Sequence, residues 1–166
     1  MTARLAESVS LRPIQAADEE FLRLVYAGVR AEELALTNWD DAQKQAFLRM
    51  QFDAQQRFYF EHFPDAQFQV IQLGDQPVGR LYVDRSAADI HIIDIALLPE
   101  HRNAGIGGLL LRGLLEEAAA AGKPVRIHVE RFNSALRLYL RLGFTPIQER
   151  GLYLEMECRP PSAALR

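Results

Sequence analysis

The stretch that most constrains this chain is Ile90 to Leu98, which reads IHIIDIALL and stops at Pro99. So continuous and β-branched a run does not suit an edge strand with one wet side, so it is expected to be a central strand covered on both faces. Pro99 then ends it, because proline has no N–H to give to a ladder. Directly after come Arg102, Gly105, Gly107 and Gly108, and from about Gly107 to Ala121 an apolar helix in which Leu109, Leu110, Leu111, Leu114, Leu115 and Ala118 bury one side and Gly122 caps the end. A buried strand, a glycine turn and an apolar helix in succession call for a layered α/β protein.

The rest of the chain supplies the layers. Ser8 to Arg12 alternates as a first strand, and Pro13 with Ala16, Ala17 and Asp18 turns it into a helix carrying Phe21, Leu22, Leu24, Val25, Val29 and Leu34 at helical spacing. A second helix is expected from about Asp40 to His62, with Pro64 as its stop. Phe68 to Leu73 and Val78 to Val83 flank Gly74, Asp75 and Gln76 as a hairpin. Val125 to Val129 is another buried strand. Asn133 or Ser134 caps a short helix through Leu142 that Gly143 ends, and Leu152, Leu154 and Met156 alternate in one last strand. The expected order is β-α-α-β-β-β-α-β-α-β, a mixed central sheet with helices on both faces.

Composition narrows the class. At 166 residues, nearly half of them apolar, the chain is expected to form one domain over 1–166, with its core at about 8–158 and a loose tail at 159–166. A net charge of -3 argues against the broad cationic surface that nucleic-acid binding needs. No stretch approaches the roughly 18 uncharged apolar residues of a membrane span, and Met1 to Ser10 carries Arg4 and Glu7 without an apolar core. The single Cys158 forms no intrachain disulfide and offers no metal-ligand pair. A cytoplasmic protein with no metal, no nucleic acid and no membrane partner is the expectation.

The glycine turn is where the chemistry is legible. Glycines let the backbone approach a ligand closely, and the free N–H groups of a helix's first turn face it with the positive end of the dipole behind them. Arg102 adds a charged donor to such an anion site. As a dinucleotide turn, GIGGLL lacks a third glycine at Leu110 and has no acidic ribose partner before Glu130; as a triphosphate loop it lacks Gly-Lys-Ser or Gly-Lys-Thr. A turn that merely joins strand to helix remains open on this ground alone.

Arg102, Asn103, Ala104, Gly105, Ile106 and Gly107, however, resemble the arginine-x-x-glycine-x-glycine signature of the GNAT superfamily of N-acetyltransferases. About thirty residues on, Asn133 to Phe144 (NSALRLYLRLGF) resembles that superfamily's second cofactor segment, with Asn133 one position closer to Tyr139 than the common pattern has it. The order of elements from Ser8 to Cys158 is similar as well. The resemblance implies an acyltransferase that moves an acetyl group from acetyl-CoA to an amine-bearing acceptor, a small molecule or a peptide terminus. It implies that the backbone of Ile95, Ala96 and Leu97 pairs with the pantetheine arm. The N–H groups from Arg102 through Asn103, Ala104, Gly105, Ile106, Gly107 and Gly108 would hold the pyrophosphate, and Asn133 would reach the same ligand.

Direct transfer to an amine needs a base, an oxyanion partner and a proton for the departing thiolate. Tyr139, a neutral donor on a helix that in this fold points toward the sulfur, takes the last role. For the base, alternation on the strand Pro124 to Arg131 puts His128 and Glu130 on one face. Asp94, an acid in an otherwise apolar strand, is the third candidate and needs a partner if buried. Glu32, Glu33, Trp39, Gln51, Gln55 and Tyr59 on the first two helices are available to an acceptor. Two other readings are kept: a module that binds acyl-CoA without turnover, and a scaffold with no such site. Pairing of Gly151 to Glu157 across a two-fold axis would give a homodimer.

Overall fold

A computed structural model describes residues 2–160. A short helix α1 (Thr2–Ser8) leads into strand β1 (Val9–Pro13), and a 3-10 turn at Ala16–Asp18 delivers helix α2 (Glu19–Ala35). Helix α3 (Asp41–His62) starts on a reciprocal cap: Asp40 accepts from the Gln43 N–H, and the Gln43 side chain accepts from the Asp40 N–H. Strands β2 (Gln67–Leu73), β3 (Gln76–Arg85) and β4 (Ile90–Leu97) form a meander, followed by helix α4 (Ile106–Ala121) and strand β5 (Val125–Glu130). Helix α5 (Leu136–Arg141) and a hairpin of β6 (Thr145–Arg150) and β7 (Tyr153–Cys158) complete the chain.

The seven strands lie in the order β1-β2-β3-β4-β5-β7-β6, and β4 with β5 is the one parallel pair. That pair is short. Ile90, His91 and Ile92 match Val125, Arg126 and Ile127, and there the partnership ends although both strands run on. The break coincides with a bulge: Val83 faces Ile92 and Tyr82 faces Asp94, so Ile93 is an extra residue with no partner on β3. A bulge shifts the period-two alternation by one. Ile90 and Ile92 point into the α4 side of the sheet, and without the extra residue Asp94 would follow them into that apolar core. With it, Asp94 turns to the α2 and α3 side and Ile95 and Leu97 take the core positions.

Two cores result. One packs α4 and α5 against the sheet through Ile106, Leu111, Leu114, Ala118, Tyr139 and Phe144 on Leu81, Val83, Ile90, Ile92, Val125, Ile127, Val129 and Met156. The other is a smaller cluster between α2 and α3, made of Leu22, Tyr26, Leu34, Leu48 and Phe52. Close approach demands glycine at two points. A Cβ on Gly79 would stand 2.3 Å from the Ala96 carbonyl oxygen, and one on Gly28 would stand 3.0 Å from Pro99 Cδ, where α2 rests on the end of β4.

The fold departs from sequence expectation in particular places. Helix α1 was not expected; about two turns of chain show no periodicity, yet Leu5 docks on the main core. The last strand is a hairpin, not a single strand. Strand β6 escapes a hydrophobic pattern because all six residues are exposed and it carries Pro146, as an edge strand protected from further pairing does. Leu152 belongs to the hairpin turn, and Leu24 and Val29 face outward because α2 buries a narrower stripe. Of the expected loose tail, 161–166 lies outside the described residues, and Arg159 ion-pairs with Glu157. Among the described residues no helix is long and apolar enough to cross a membrane.

The junction of β1 and α2 rests on one ion pair. Arg12 gives Asp18 two hydrogen bonds of 2.8 Å and the Gln15 N–H gives it a third of 2.7 Å. The guanidinium, with help from that N–H, holds the carboxyl below its usual range. A carboxyl depressed in the folded state contributes stability that is fully present above its unfolded pKa of about 3.9 and is lost as pH falls through the folded value. Asp18→Asn is therefore expected to cost about 1–2 kcal/mol near neutral pH, with the gap to wild type closing in strong acid; urea unfolding at both pH values checks this.

Candidate active site

The turn between β4 and α4 leaves a run of backbone donors without acceptors among the described residues. After Pro99–His101, a single 3-10 turn, Asn103 adopts φ 60° and Gly105 φ 91°, left-handed conformations that reverse the chain into α4. Leu109 makes the first helical bond, to the Gly105 carbonyl. The N–H groups of Asn103, Ala104, Gly105, Ile106, Gly107 and Gly108 consequently find no acceptor among the described residues. Unpaired donors aligned at a helix start form an anion cradle, the more so without a capping side chain in the way. Leu5 of α1 lies against Gly105, 3.3 Å from where a Cβ would sit, so the first helix borders this cradle. Arg102, expected to join it, donates Nε to the Leu97 carbonyl at 3.1 Å.

Beside the turn the sheet is open. From Asp94 to Leu97, β4 is paired with β3 alone, while His128, Val129 and Glu130 pair with β7 alone. The expected segment Ile95, Ala96 and Leu97 thus carries a backbone edge with no strand partner on the β5 side, which an extended ligand can satisfy by hydrogen bonding. Tyr139 approaches from α5. Its ring is buried edge-on against Phe144, its hydroxyl has no hydrogen-bond partner among the described residues, and burial with the charge of Asp94 pushes the phenol well above its ordinary range. It stays protonated at any working pH. Asn133 lies on the loop before α5, where its Oδ1 accepts from the Ala135 N–H at 2.8 Å and so caps that turn.

On the other side of the opening stands a polar cluster that sequence reading reached only in part. Asp94 accepts from Arg80 Nε at 2.5 Å, and Arg80 Nη2 donates to Gln55 at 2.9 Å. Tyr82 donates to Gln56 at 3.1 Å, and the Tyr59 ring meets Tyr82 edge-on. Burial, and then Asp94, pushes the Tyr59 phenol up. Gln55 and Tyr59 were expected as acceptor-facing residues and here line the cluster. Arg80 was missed, and its signal is plain in retrospect: one cation at the centre of the strand Val78 to Val83, in phase with Tyr82.

The remaining candidates are dispersed. Glu130 is ion-paired at 3.0 Å to Arg30 of α2, which also holds Glu33 at 2.9 Å, so this chain of charges ties α2 to the end of β5. His128 is largely exposed, 3.9 Å from Glu155 and edge-on to His91, whose imidazole burial and His128 together hold low. Of the other helix residues, Glu32 is exposed, Gln51 is half-buried and Trp39 packs on Phe47 at the α2–α3 corner.

A family model described as acetyltransferase (GNAT) family matches residues 32–144. The fold is shared by the PaiA N-acetyltransferase of Thermoplasma acidophilum, solved in complex with coenzyme A, at 19% identity and TM-score 0.69 over 92% of this chain and 99% of that one. It is shared too by the ribosomal-protein-S18-alanine N-acetyltransferase of Escherichia coli, at 15% identity and TM-score 0.63 over 93% and 96%. A GNAT family acetyltransferase of Elizabethkingia anophelis with acetyl-CoA bound matches at 15% identity and TM-score 0.57 over 92% and 99%. No curated protein matches the chain. With the matched segment running from α2 through α5 and taking in both the cradle and the open sheet, the chain belongs to the GNAT family of acetyltransferases.

Proposed function

We propose that this protein moves an acetyl group from acetyl-CoA to a primary amine by direct transfer, with Tyr139 as the general acid. The observation that carries the reading is the juxtaposition of the unpaired N–H groups from Asn103 to Gly108 with the unpartnered edge of β4. One suits a pyrophosphate and the other a pantetheine arm, and the coenzyme A and acetyl-CoA held by two proteins of the same fold support the assignment. Ile95, Ala96 and Leu97 bind the arm and residues 102–108 bind the diphosphate, with Arg102 close by. Asn133, on the loop that follows β5, is the further contact to the same ligand.

In the reaction the amine nitrogen bonds to the thioester carbon and the carbon–sulfur bond breaks. The leaving sulfur takes its proton from the Tyr139 hydroxyl, and the nitrogen gives its proton to a base. Among the three candidates Asp94 is favoured, because the bulge at Ile93 delivers it where β4 has parted from β5 and its charge reaches Tyr139. Glu130 and Asp94 are each held by one arginine, Arg30 and Arg80, so the reach of the Asp94 charge to Tyr139 is what separates them, and His128 lies exposed beside Glu155.

Two variants separate binding from turnover. At Gly107 a Cβ has only Leu138 within 4 Å, at 3.9 Å, so Gly107→Glu is expected to fold while placing a carboxylate in the cradle. Acetyl-CoA at about a hundred times its Kd is expected to add about 2.7 kcal/mol to the wild type, and little to the variant, in thermal unfolding. An equal shift in both would remove the diphosphate from this turn. Tyr139→Phe is expected to keep that shift, change stability by less than about 1 kcal/mol because the hydroxyl has no hydrogen-bond partner among the described residues, and lower kcat about a hundredfold. Unchanged kcat would exclude the general-acid role, and binding with no transfer to any amine would make the chain a sensor of acyl-CoA instead.

A further inference from the structure

Arg80 is the most completely buried charge among the described residues at 1% exposure, and it is not used as a stability device would use it. Its Nη1 is buried with no hydrogen-bond partner, a cost that native cores seldom carry without a reason. A buried ion pair is in any case poor at stabilising a fold, since desolvation of both charges offsets their attraction.

What the surroundings do achieve is fixity. Tyr82 and Tyr26 lie 5.1 and 5.9 Å from the guanidinium carbon and hold its plane between a strand and helix α2. Gln55 of α3 fixes Nη2. The rigid fork then presents Nε to one oxygen of Asp94, on a carboxylate that is 24% exposed and whose other oxygen has no protein donor. The register reinforces this: Arg80 lies opposite Ala96 and Tyr82 opposite Asp94, so cation and carboxylate are diagonal neighbours on one face only because Ile93 is looped out.

From this arrangement we infer that Arg80 is the positioning residue of the acceptor site, holding Oδ2 of Asp94 so that Oδ1 is aimed at the incoming amine, with Gln55 as the anchor that keeps Arg80 in place. The inference rests on the transfer reaction proposed above and extends it to two residues that touch neither substrate. It makes the amine site a three-layer relay of α3, β3 and β4 with no part supplied by the cofactor cradle.

The test is steady-state kinetics of the full chain with acetyl-CoA and either a short alkyl diamine or an alanine dipeptide, whichever the wild type turns over faster. Arg80→Met is expected to lower kcat at least about tenfold with KM for acetyl-CoA unchanged, and Arg80→Lys to recover part of the loss, as an effect on positioning requires. On an Asp94→Asn background, Arg80→Met should cost no further kcat, because two residues acting as one unit are not additive. Should Arg80→Met fail to fold by circular dichroism, Gln55→Met, at a half-buried position, is expected to give the same pattern in milder form. Equal loss on both backgrounds, or a folded Arg80→Met or Gln55→Met with wild-type kcat, overturns the inference while leaving the transfer reaction intact. Absence of turnover by the wild type with both amines overturns the transfer reading itself, and this inference with it.

Discussion

The architecture depends on one looped-out residue. Ile93 has no partner on β3, and everything distinctive about the centre of the sheet follows from that insertion. It reverses which face the last four residues of β4 present, and it coincides with the point where β4 leaves β5. A parallel pair tolerates such a change of parity poorly, because its evenly spaced bonds need both strands in continuous register. The strands separate, and beyond that point β4 presents an acid to one face of the sheet and apolar side chains to the other. A regular strand of the same composition would have had to bury Asp94 among Ile106, Leu111 and Ile127 without a cation, which a core of this kind does not accommodate.

The two helical layers then have different tasks. Helices α4 and α5 seal the apolar face and carry the glycine turn and Tyr139, so their packing fixes how those two features stand to one another. Helices α2 and α3 sit over a sheet face that includes Arg80, Tyr82 and Asp94, and they are joined to it by side-chain hydrogen bonds as much as by apolar burial. Helix α2 comes close at Gly28, where a Cβ would meet the Pro99 ring at the end of β4. The placement of the second helical layer is thus referred to the same strand that bears the bulge.

Much of this was legible in the sequence, and the reasons are local. The boundaries of α3 followed from Asp40 and Pro64, those of β4 from its isoleucines and Pro99, and the end of α4 from Gly122 in its left-handed conformation. The turn into α4 was readable because glycine chemistry is a property of neighbouring residues. The rest was hidden by distance along the chain. Nothing near Arg80 in sequence announces that its partner lies fourteen residues on in a strand shifted by a bulge, or that Gln55 on an earlier helix completes the set. The capping of α5 by its own loop through Asn133, and the engagement of Glu130 by Arg30, are contacts that periodicity does not register. Edge strand β6 was missed because its means of avoiding aggregation, exposed polar residues and a proline, are the same signals that mark a loop.

The hydrogen bond from Arg102 to the Leu97 carbonyl has an energetic implication for any ligand with both an extended arm and a charged diphosphate. Leu97 sits on the edge that the arm would use, so an arm that claims that carbonyl sets the guanidinium loose beside the cradle, and a diphosphate that draws the guanidinium away exposes the carbonyl. Each half of such a molecule prepares the place of the other. Fragments carrying only one half would have to break the contact without the compensating partner. Under the proposed reaction, discrimination for the whole cofactor over its pieces would then lie in a single side chain, the one that closes this turn.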